Sequence, residues 1–149
     1  ELRIRQQQET LKTKSFKALR GQLPWPADGR VISKFGRQWN PKLKTTTENP
    51  GIDIKGKPGS SIRTVLGGVV TTITYIRGYG TTIIVDHGGG FYTVYSHVTN
   101  IQTNVDSQVR NGDVIAYMGD AGSINGAKLH FEIWGKGQKL DPEKWLRKK

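Results

Sequence analysis

The sequence has 149 residues, 34% of them hydrophobic, which is enough for one domain with a core and too short for two large domains. It contains no cysteine, which excludes a disulfide framework and thiolate metal ligands, and no apolar run approaches the roughly 18 residues of a membrane span. The net charge of +11 favours polyanionic partners. Because no motif of the RRM or zinc-finger type is present, we expect no nucleic-acid partner.

The N-terminal stretch is polar and rich in Gln, Lys and Arg. Its sparse apolar residues have roughly helical spacing up to Leu19, and Gly21 and two nearby prolines end the pattern. We predict that residues 1–20 form the end of a coiled-coil or linker helix, and that residues 21–149 form the domain. The chain begins in helical sequence without an initiating Met or signal peptide, so we expect a fragment of a longer, secreted protein.

From Gly29 onward the sequence is typical of short β-strands separated by glycine turns. This pattern predicts a mainly β fold, an open barrel or sandwich of two sheets. The segment from Arg37 to Asn49 has no periodicity and contains Pro41, so we predict a long loop there. The predicted strands are Arg30–Phe35, Ile52–Ile54, Ser61–Val65, Gly68–Ile76, Thr81–Asp86, Phe91–His97, Asp113–Met118 and Leu129–Trp134, and a short helix is predicted at Asp141–Leu146.

The stretch from Ala127 to Trp134 alternates as a strand would. Its apolar residues fall on one face, which would pack against the core. Lys128 and His130, followed by Glu132 or Trp134, would lie on the opposite face. A basic side chain beside an imidazole on a rigid strand suggests a functional site.

A series of short motifs runs along the predicted strands. They are Phe35-Gly36-Arg37, Gly51-Ile52-Asp53-Ile54, Gly78-Tyr79-Gly80, Asp86-His87-Gly88-Gly89-Gly90, Tyr95-Ser96-His97-Val98 and Leu129-His130-Phe131-Glu132-Ile133. With these motifs in this order, residues 23–146 resemble the lysostaphin-type zinc peptidase domain, also called the LytM domain. The resemblance implies the duplicated hybrid motif as the fold.

In chemistry, the resemblance implies a zinc ion held by His, Asp and His with a fourth position open for water, together with two further histidines that act on protons and on the developing oxyanion. The family's metal positions correspond to Asn49, Asp53 and His130, and its catalytic positions to His97 and Lys128. The motif His-x-x-x-Asp therefore has Asn49 in place of its histidine, and the motif His-x-His has Lys128 in place of its first.

Both departures weaken the case for zinc. The amide oxygen of Asn49 is a poor zinc ligand compared with imidazole. The ammonium of Lys128 cannot accept a proton, and at 4 Å and an effective dielectric of 20 it repels a unit positive charge by about 4 kcal/mol, roughly twice that for a divalent ion. We therefore expect no metal, no cofactor and no catalytic residue, with Asp53 either capping a turn or paired with Lys128.

A LytM domain with a dismantled zinc site, preceded by a Gln/Lys/Arg-rich helix, resembles the murein hydrolase activators of the EnvC type. This resemblance implies a non-catalytic, periplasmic protein of the cell envelope that activates a peptidoglycan amidase during cell separation, with peptidoglycan as a second partner. The docking groove would comprise Asn49, Asp53, His97, Lys128 and His130. Two alternatives stay open: a weak or latent zinc-dependent peptidoglycan endopeptidase, and a basic cell-wall-binding module.

Four further residues, and His97 itself, also have simpler interpretations. We predict that His87, beside Gly88, is a turn residue. His97, on the polar face of residues 93–97, is either an ordinary hydrogen-bonded histidine or a functional residue of the groove. The tryptophans Trp25, Trp134 and Trp145 are interpreted as core or edge packing.

Overall fold

The computed structural model describes residues 16–119 and 126–149, and the predicted coiled-coil helix at residues 1–20 lies largely outside them. The described chain is mainly β. A short helix, α1, spans Pro142–Trp145. The strands are β1 (Arg30–Ser33), β2 (Gly36–Asn40), β3 (Thr45–Asn49), β4 (Ile52–Lys55), β5 (Ser61–Arg63), β6 (Gly68–Ile76), β7 (Gly80–Gly88), β8 (Phe91–Ser96), β9 (Val98–Thr99), β10 (Gln108–Val109), β11 (Val114–Met118), β12 (Lys128–Gly135) and β13 (Gln138–Leu140).

The strands form a large sheet, a small sheet and a separate hairpin. The large sheet has eight strands, seven of them in the order β1-β4-β12-β8-β7-β6-β10, and β13 pairs with β12. The small sheet has the order β5-β11-β9, and β2 pairs with β3. All these pairs are antiparallel. The predicted mainly β, two-sheet open architecture is confirmed.

Apolar side chains of both sheets share one core. On β12, Leu129, Phe131 and Ile133 are fully buried, as their alternation predicts. Ile62 and Ile115 of the small sheet belong to the same cluster. The two sheets therefore stabilise one another by burying a common apolar interior.

The N-terminal and C-terminal segments close one end of this core. Phe16 is fully buried and stacks on Phe91 with ring centroids 4.5 Å apart, and Trp145 lies 5.2 Å from Phe16. A backbone bridge joins Leu23 to Leu146. The packed unit thus includes Phe16, ahead of the predicted domain start at residue 21.

The three tryptophans named above pack as predicted. Trp145 is buried, and Trp25 and Trp134 are half-buried. The indole of Trp25 also donates a hydrogen bond to the carbonyl of Arg147 at 2.7 Å.

The predicted loop at residues 37–49 was wrong, because this segment is a hairpin. Its ladder runs from the pair Gly36 and Asn49 to the pair Asn40 and Thr45. Nearly all of its residues are exposed on both faces. A strand exposed on both faces needs no alternation of apolar and polar residues, so the sequence carries no strand pattern there.

Gly51 lets the start of β4 approach β12 closely. A Cβ atom at this position would lie 2.2 Å from the carbonyl oxygen of Phe131, far inside contact distance. This approach belongs to the register in which Asp53 is directly opposite His130. A glycine of the sequence motif is thus one cause of the geometry of the site.

Among the residues that the structure describes, no helix is long and apolar enough to cross a membrane.

Candidate functional site

The five family positions line one surface cavity of about 270 Å³, which we call the groove. The β2–β3 hairpin forms one side and the turn between β6 and β7 the other. The residues lining the groove are Ser33, Thr47, Glu48, Asn49, Pro50, Asp53, Gly78, Tyr79, His97, Lys128 and His130.

Asn49 ends β3, and both atoms of its side-chain amide are engaged. Its Nδ2 donates to the hydroxyl of Ser33 at 2.9 Å, and its Oδ1 accepts from the backbone N–H of Gly51 at 3.0 Å. The second bond is an Asx turn, which fixes the chain before Gly51. Asn49 therefore shapes the backbone that leads into β4.

Asp53 lies at the centre of the groove between two basic groups. Its Oδ1 is 2.6 Å from Nδ1 of His130, and its Oδ2 is 3.5 Å from Nζ of Lys128. The pairing of Asp53 with Lys128 that the sequence suggested is therefore present. Asp53 and Lys128 are each less than one-fifth exposed, so both charged groups have lost most of their hydration. Their mutual attraction partly offsets the cost of that loss.

Glu132 is a partner of His130 that the sequence alone did not reveal. Nε2 of His130 is 2.8 Å from Oε2 of Glu132, and the indole of Trp134 donates to Oε1 of Glu132 at 2.8 Å. Lys139 adds a longer contact of 3.8 Å. The strand alternation, which places Glu132 two residues after His130 on the same face, was the available signal.

The pKa shifts follow from this packing. Burial lowers the pKa of His130, but its hydrogen bonds to Asp53 and Glu132 outweigh that effect and raise the pKa above its ordinary value. Burial raises the pKa of both carboxyl groups, but hydrogen bonding to His130 and nearby positive charge bring both below their ordinary values. An imidazolium that donates from both ring nitrogens to two carboxylates, with Lys128 beside them, forms a network in which two positive charges balance two negative ones.

Tyr79 and His97 form the opposite wall. The Tyr79 ring lies 4.8 Å from the His130 ring, and its carbonyl accepts the backbone N–H of His97 at 2.8 Å. The expectation that His97 lies on the polar face of a strand was wrong. His97 follows the end of β8 in a left-handed conformation, with φ of 64°, and is buried.

His87 is a buried residue of β7 rather than the predicted turn residue. Its Nδ1 is 2.9 Å from the carbonyl oxygen of Gly67, and its Nε2 is 2.7 Å from the hydroxyl of Thr93. Burial is the main cause of the lowering of its pKa to about 4. The neutral ring donates to Gly67 and accepts from Thr93, so His87 stabilises the sheet outside the groove.

The groove residues do not fit the zinc ion that the family resemblance implies. Both amide atoms of Asn49 are hydrogen-bonded, both ring nitrogens of His130 face carboxylates, and the Lys128 ammonium is beside Asp53. Within residues 16–119 and 126–149, no group of three or more His, Cys, Asp or Glu side chains is arranged to hold a metal ion. No chemical step through zinc follows from this arrangement.

The family assignment comes from sequence comparison. Residues 47–142, well over half of the chain, match the family model for Peptidase family M23. The chain belongs to peptidase family M23. The matched region of this M23 domain contains all five groove positions named in the sequence analysis.

Curated relatives of the M23 domain include both activators and an enzyme. Murein hydrolase activator EnvC of Escherichia coli (strain K12) is 32% identical over 135 residues, which is 91% of this chain and 31% of that protein. Murein hydrolase activator NlpD of the same strain is 36% identical over 82% of this chain and 30% of its own length. The DD-carboxypeptidase/endopeptidase Mpg of Neisseria meningitidis serogroup B (strain ATCC BAA-335 / MC58) is 33% identical over 76% of this chain and 26% of its own length. The chain spans less than a third of the length of these relatives.

A solved structure supports the fold alone. A zinc-containing peptidase from Vibrio cholerae superposes with a TM-score of 0.74 at 23% identity, covering 82% of this chain and 39% of that chain. Overall identity is nearly the same for the activators and for the endopeptidase, so the chemistry of the groove has to separate the two functions.

Proposed function

We propose that this M23 domain is a non-catalytic activator of a peptidoglycan amidase that acts in the periplasm during cell separation. The observation that carries the proposal is the network of Asp53 with His130 and Lys128, in which the family's metal-binding carboxylate is paired with basic groups of the chain itself. The printed names of EnvC and NlpD supply the class of function. On this proposal the domain needs no zinc and no cofactor.

The chemistry of the groove suits recognition. It presents hydrogen-bonding and charged groups on paired strands, which hold them in fixed positions. A segment of the amidase that docks there has to form more contacts in the amidase's open state than in its inhibited state. Activation is then a population shift whose size is set by that difference in affinity.

The test is a peptidoglycan release assay with a purified, autoinhibited amidase of the same organism, with and without the domain. We expect release only when both proteins are present. Thr47→Arg places a long side chain in the groove and should reduce activation by at least roughly tenfold, since an obstructed interface core costs more than about 1.4 kcal/mol.

Thr45→Arg is the matched control, because Thr45 is exposed two residues away on β3 and does not line the groove. It should activate like the unmodified domain. Equal activation by the Thr47→Arg variant would contradict docking in the groove, and an amidase that stays inactive with the unmodified domain would contradict the function.

A zinc-dependent endopeptidase is the second candidate. It is favoured by the presence of Asp53, His97 and His130 in one cavity and by the relative Mpg. Cleavage of peptidoglycan cross-links by the domain alone, abolished by a chelator, would support this candidate and exclude the proposal.

A further inference from the structure

Three basic residues lie side by side across the strands next to the groove. Arg30 of β1 is directly opposite Lys55 of β4, and Lys55 is directly opposite Lys128 of β12. Residues directly opposite in an antiparallel pair project from the same face, with about 5 Å between neighbours. We call these three residues the cationic ladder.

The outer part of the ladder lines a second cavity. Arg30 and Lys55 line a concave surface of about 570 Å³ together with Lys57 and one acidic residue, Asp28. The inner residue, Lys128, lines the groove. The ladder is therefore a continuous path from the groove to the neighbouring cavity.

The charges of the outer ladder are not neutralised within the described chain. Lys128 is paired with Asp53 at 3.5 Å, whereas Arg30 and Lys55 form no salt bridge with any carboxylate in residues 16–119 and 126–149. Both are exposed. Lys149 adds a further positive charge nearby, because its ammonium donates to the carbonyl of Gly29.

This arrangement does not serve folding. Like charges directly opposite on a sheet repel and destabilise the pair. Arg30 and Lys55 therefore weaken the pairing of β1 and β4 unless an anion lies over them, whereas Lys128 already has Asp53 beside it. An external anionic partner that lies over the outer ladder would relieve this repulsion.

We propose that the cationic ladder binds an acidic segment of the protein that docks in the groove, with carboxylates repeating at about 5 Å. This inference rests on the proposed function and names the chemistry of its partner. A helix with acidic side chains at i, i+4 and i+8 has this repeat, because such neighbours are 5–6 Å apart. Alternate residues of an extended strand are roughly 6.6 Å apart and fit less well.

The shape of the site disfavours a lipid bilayer as the anion. The outer residues line a concavity, and a planar headgroup surface would contact its rim rather than its floor. A folded acidic segment can enter the concavity and reach the groove at the same time.

The probes are two Ala-based peptides of about 20 residues, long enough to populate a helix. One carries Glu at i, i+4 and i+8, and the other carries the same three Glu residues consecutively. Titration calorimetry at low salt measures the Kd of each peptide for the full chain. We expect the spaced peptide to bind more tightly, with an affinity that falls as salt is added.

The variant is Arg30→Gln with Lys55→Gln. It should bind the spaced peptide roughly tenfold more weakly, the effect of losing two exposed ion pairs. Its thermal midpoint should be unchanged or higher, because the repulsion across β1 and β4 is reduced. If Arg30 or Lys55 were needed for folding, the double variant would have a lower thermal midpoint instead.

The matched control is Lys17→Gln with Arg110→Gln, which removes the same charge from exposed positions that line neither the groove nor the cationic cavity. It should bind like the unmodified chain. Equal loss in both variants, equal affinity for the two peptides, or no binding would overturn the proposal. Tighter binding to phosphatidylglycerol vesicles than to the spaced peptide, lost in the Arg30→Gln and Lys55→Gln variant, would overturn it in favour of a membrane.

This test uses no amidase, so its failure is distinguishable from failure of the proposed function. If the double variant still activates the amidase, the ladder is not part of the docking surface, and the proposed function stands. If the domain binds the spaced peptide but activates no amidase, the ladder proposal stands and the proposed function is contradicted.

Discussion

His130 is held by two carboxylates, one on each ring nitrogen. The sequence could place His130, Lys128 and Glu132 on one face, because strand alternation is local information. It could not show which nitrogen faces which carboxylate, because Asp53 reaches His130 through the register between β4 and β12. That register is a property of the folded sheet.

The first prediction concerns the protonation of His130. Removing one carboxylate by Glu132→Gln should lower the pKa of His130, since a hydrogen bond and a negative charge that favour the imidazolium are both lost. An NMR titration of the imidazole signals measures this. Lys139→Gln is the control, because it changes a residue that contacts Glu132 at 3.8 Å but keeps the hydrogen bond and the negative charge that Glu132 supplies to His130.

The sign for stability follows from the same shift. Because the pKa of His130 is raised on folding, its contribution is complete below about pH 6.5, the unfolded value, and is lost as pH rises through the folded value. A wild-type His130 that titrates at or below its ordinary pKa would contradict the two-carboxylate network.

The second prediction concerns His87, where the shift has the opposite sign. Its pKa falls on folding from 6.5 to about 4, so the unfolded chain binds the proton first as the solution is acidified. Stability should therefore fall between about pH 6.5 and pH 4 by roughly 3 kcal/mol from this group. Urea unfolding at pH 7 and pH 4.5 measures the loss.

His87→Asn removes the titrating group, so its loss of stability over the same pH interval should be smaller than that of the unmodified chain. Subtracting the loss of the variant from the loss of the unmodified chain cancels the contributions of the groove carboxylates, which are the same in both proteins. Equal losses in both proteins would show that His87 is not buried in its neutral form.

At the scale of elements, the longer strands of the two sheets could be predicted, whereas the β2–β3 hairpin, the short strands β9, β10 and β13 and the buried role of His87 could not. The limits of β6 match the prediction, and β12 differs from it by one residue at each end. The β2–β3 hairpin was missed because exposure on both faces removes the apolar alternation. The buried role of His87 was missed because glycine turns follow it in sequence, while its partner Gly67 is distant in the chain.

The third prediction tests the close approach of β4 and β12. Gly51→Ala should destabilise the fold by more than about 3 kcal/mol or prevent folding, since its methyl group would overlap the carbonyl of Phe131. Thermal or urea unfolding of the purified chain measures the effect.

Gly59→Ala is the matched control. Gly59 has φ of 80°, but a Cβ atom there would enter open space, so this change should cost only the roughly 1 kcal/mol of a left-handed residue. A loss for Gly51→Ala no larger than the loss for Gly59→Ala would show that β12 accommodates a methyl group at residue 51, and would contradict the close approach.

At the scale of the whole molecule, membership of family M23 does not decide between an activator and a peptidase, and a few side chains of the groove do. The same M23 fold occurs in a zinc-containing peptidase, and identity to activators and to an endopeptidase is nearly equal. Asn49 and Lys128 stand where the family resemblance implies histidines, and both are engaged in contacts within the chain. The sequence revealed these two positions, whereas the contacts of Glu132 and Tyr79 with His130 required the structure.

The fourth prediction is the zinc content of the chain, which tests directly whether the groove is a recognition site or a metal centre. Protein purified without chelator, equilibrated with equimolar zinc and gel-filtered should retain far less than one zinc per chain by elemental analysis. Asn49 and Lys128 supply no imidazole ligand, and His130 is held between carboxylates. One zinc per chain that survives gel filtration and is lost on Asp53→Asn would contradict the account.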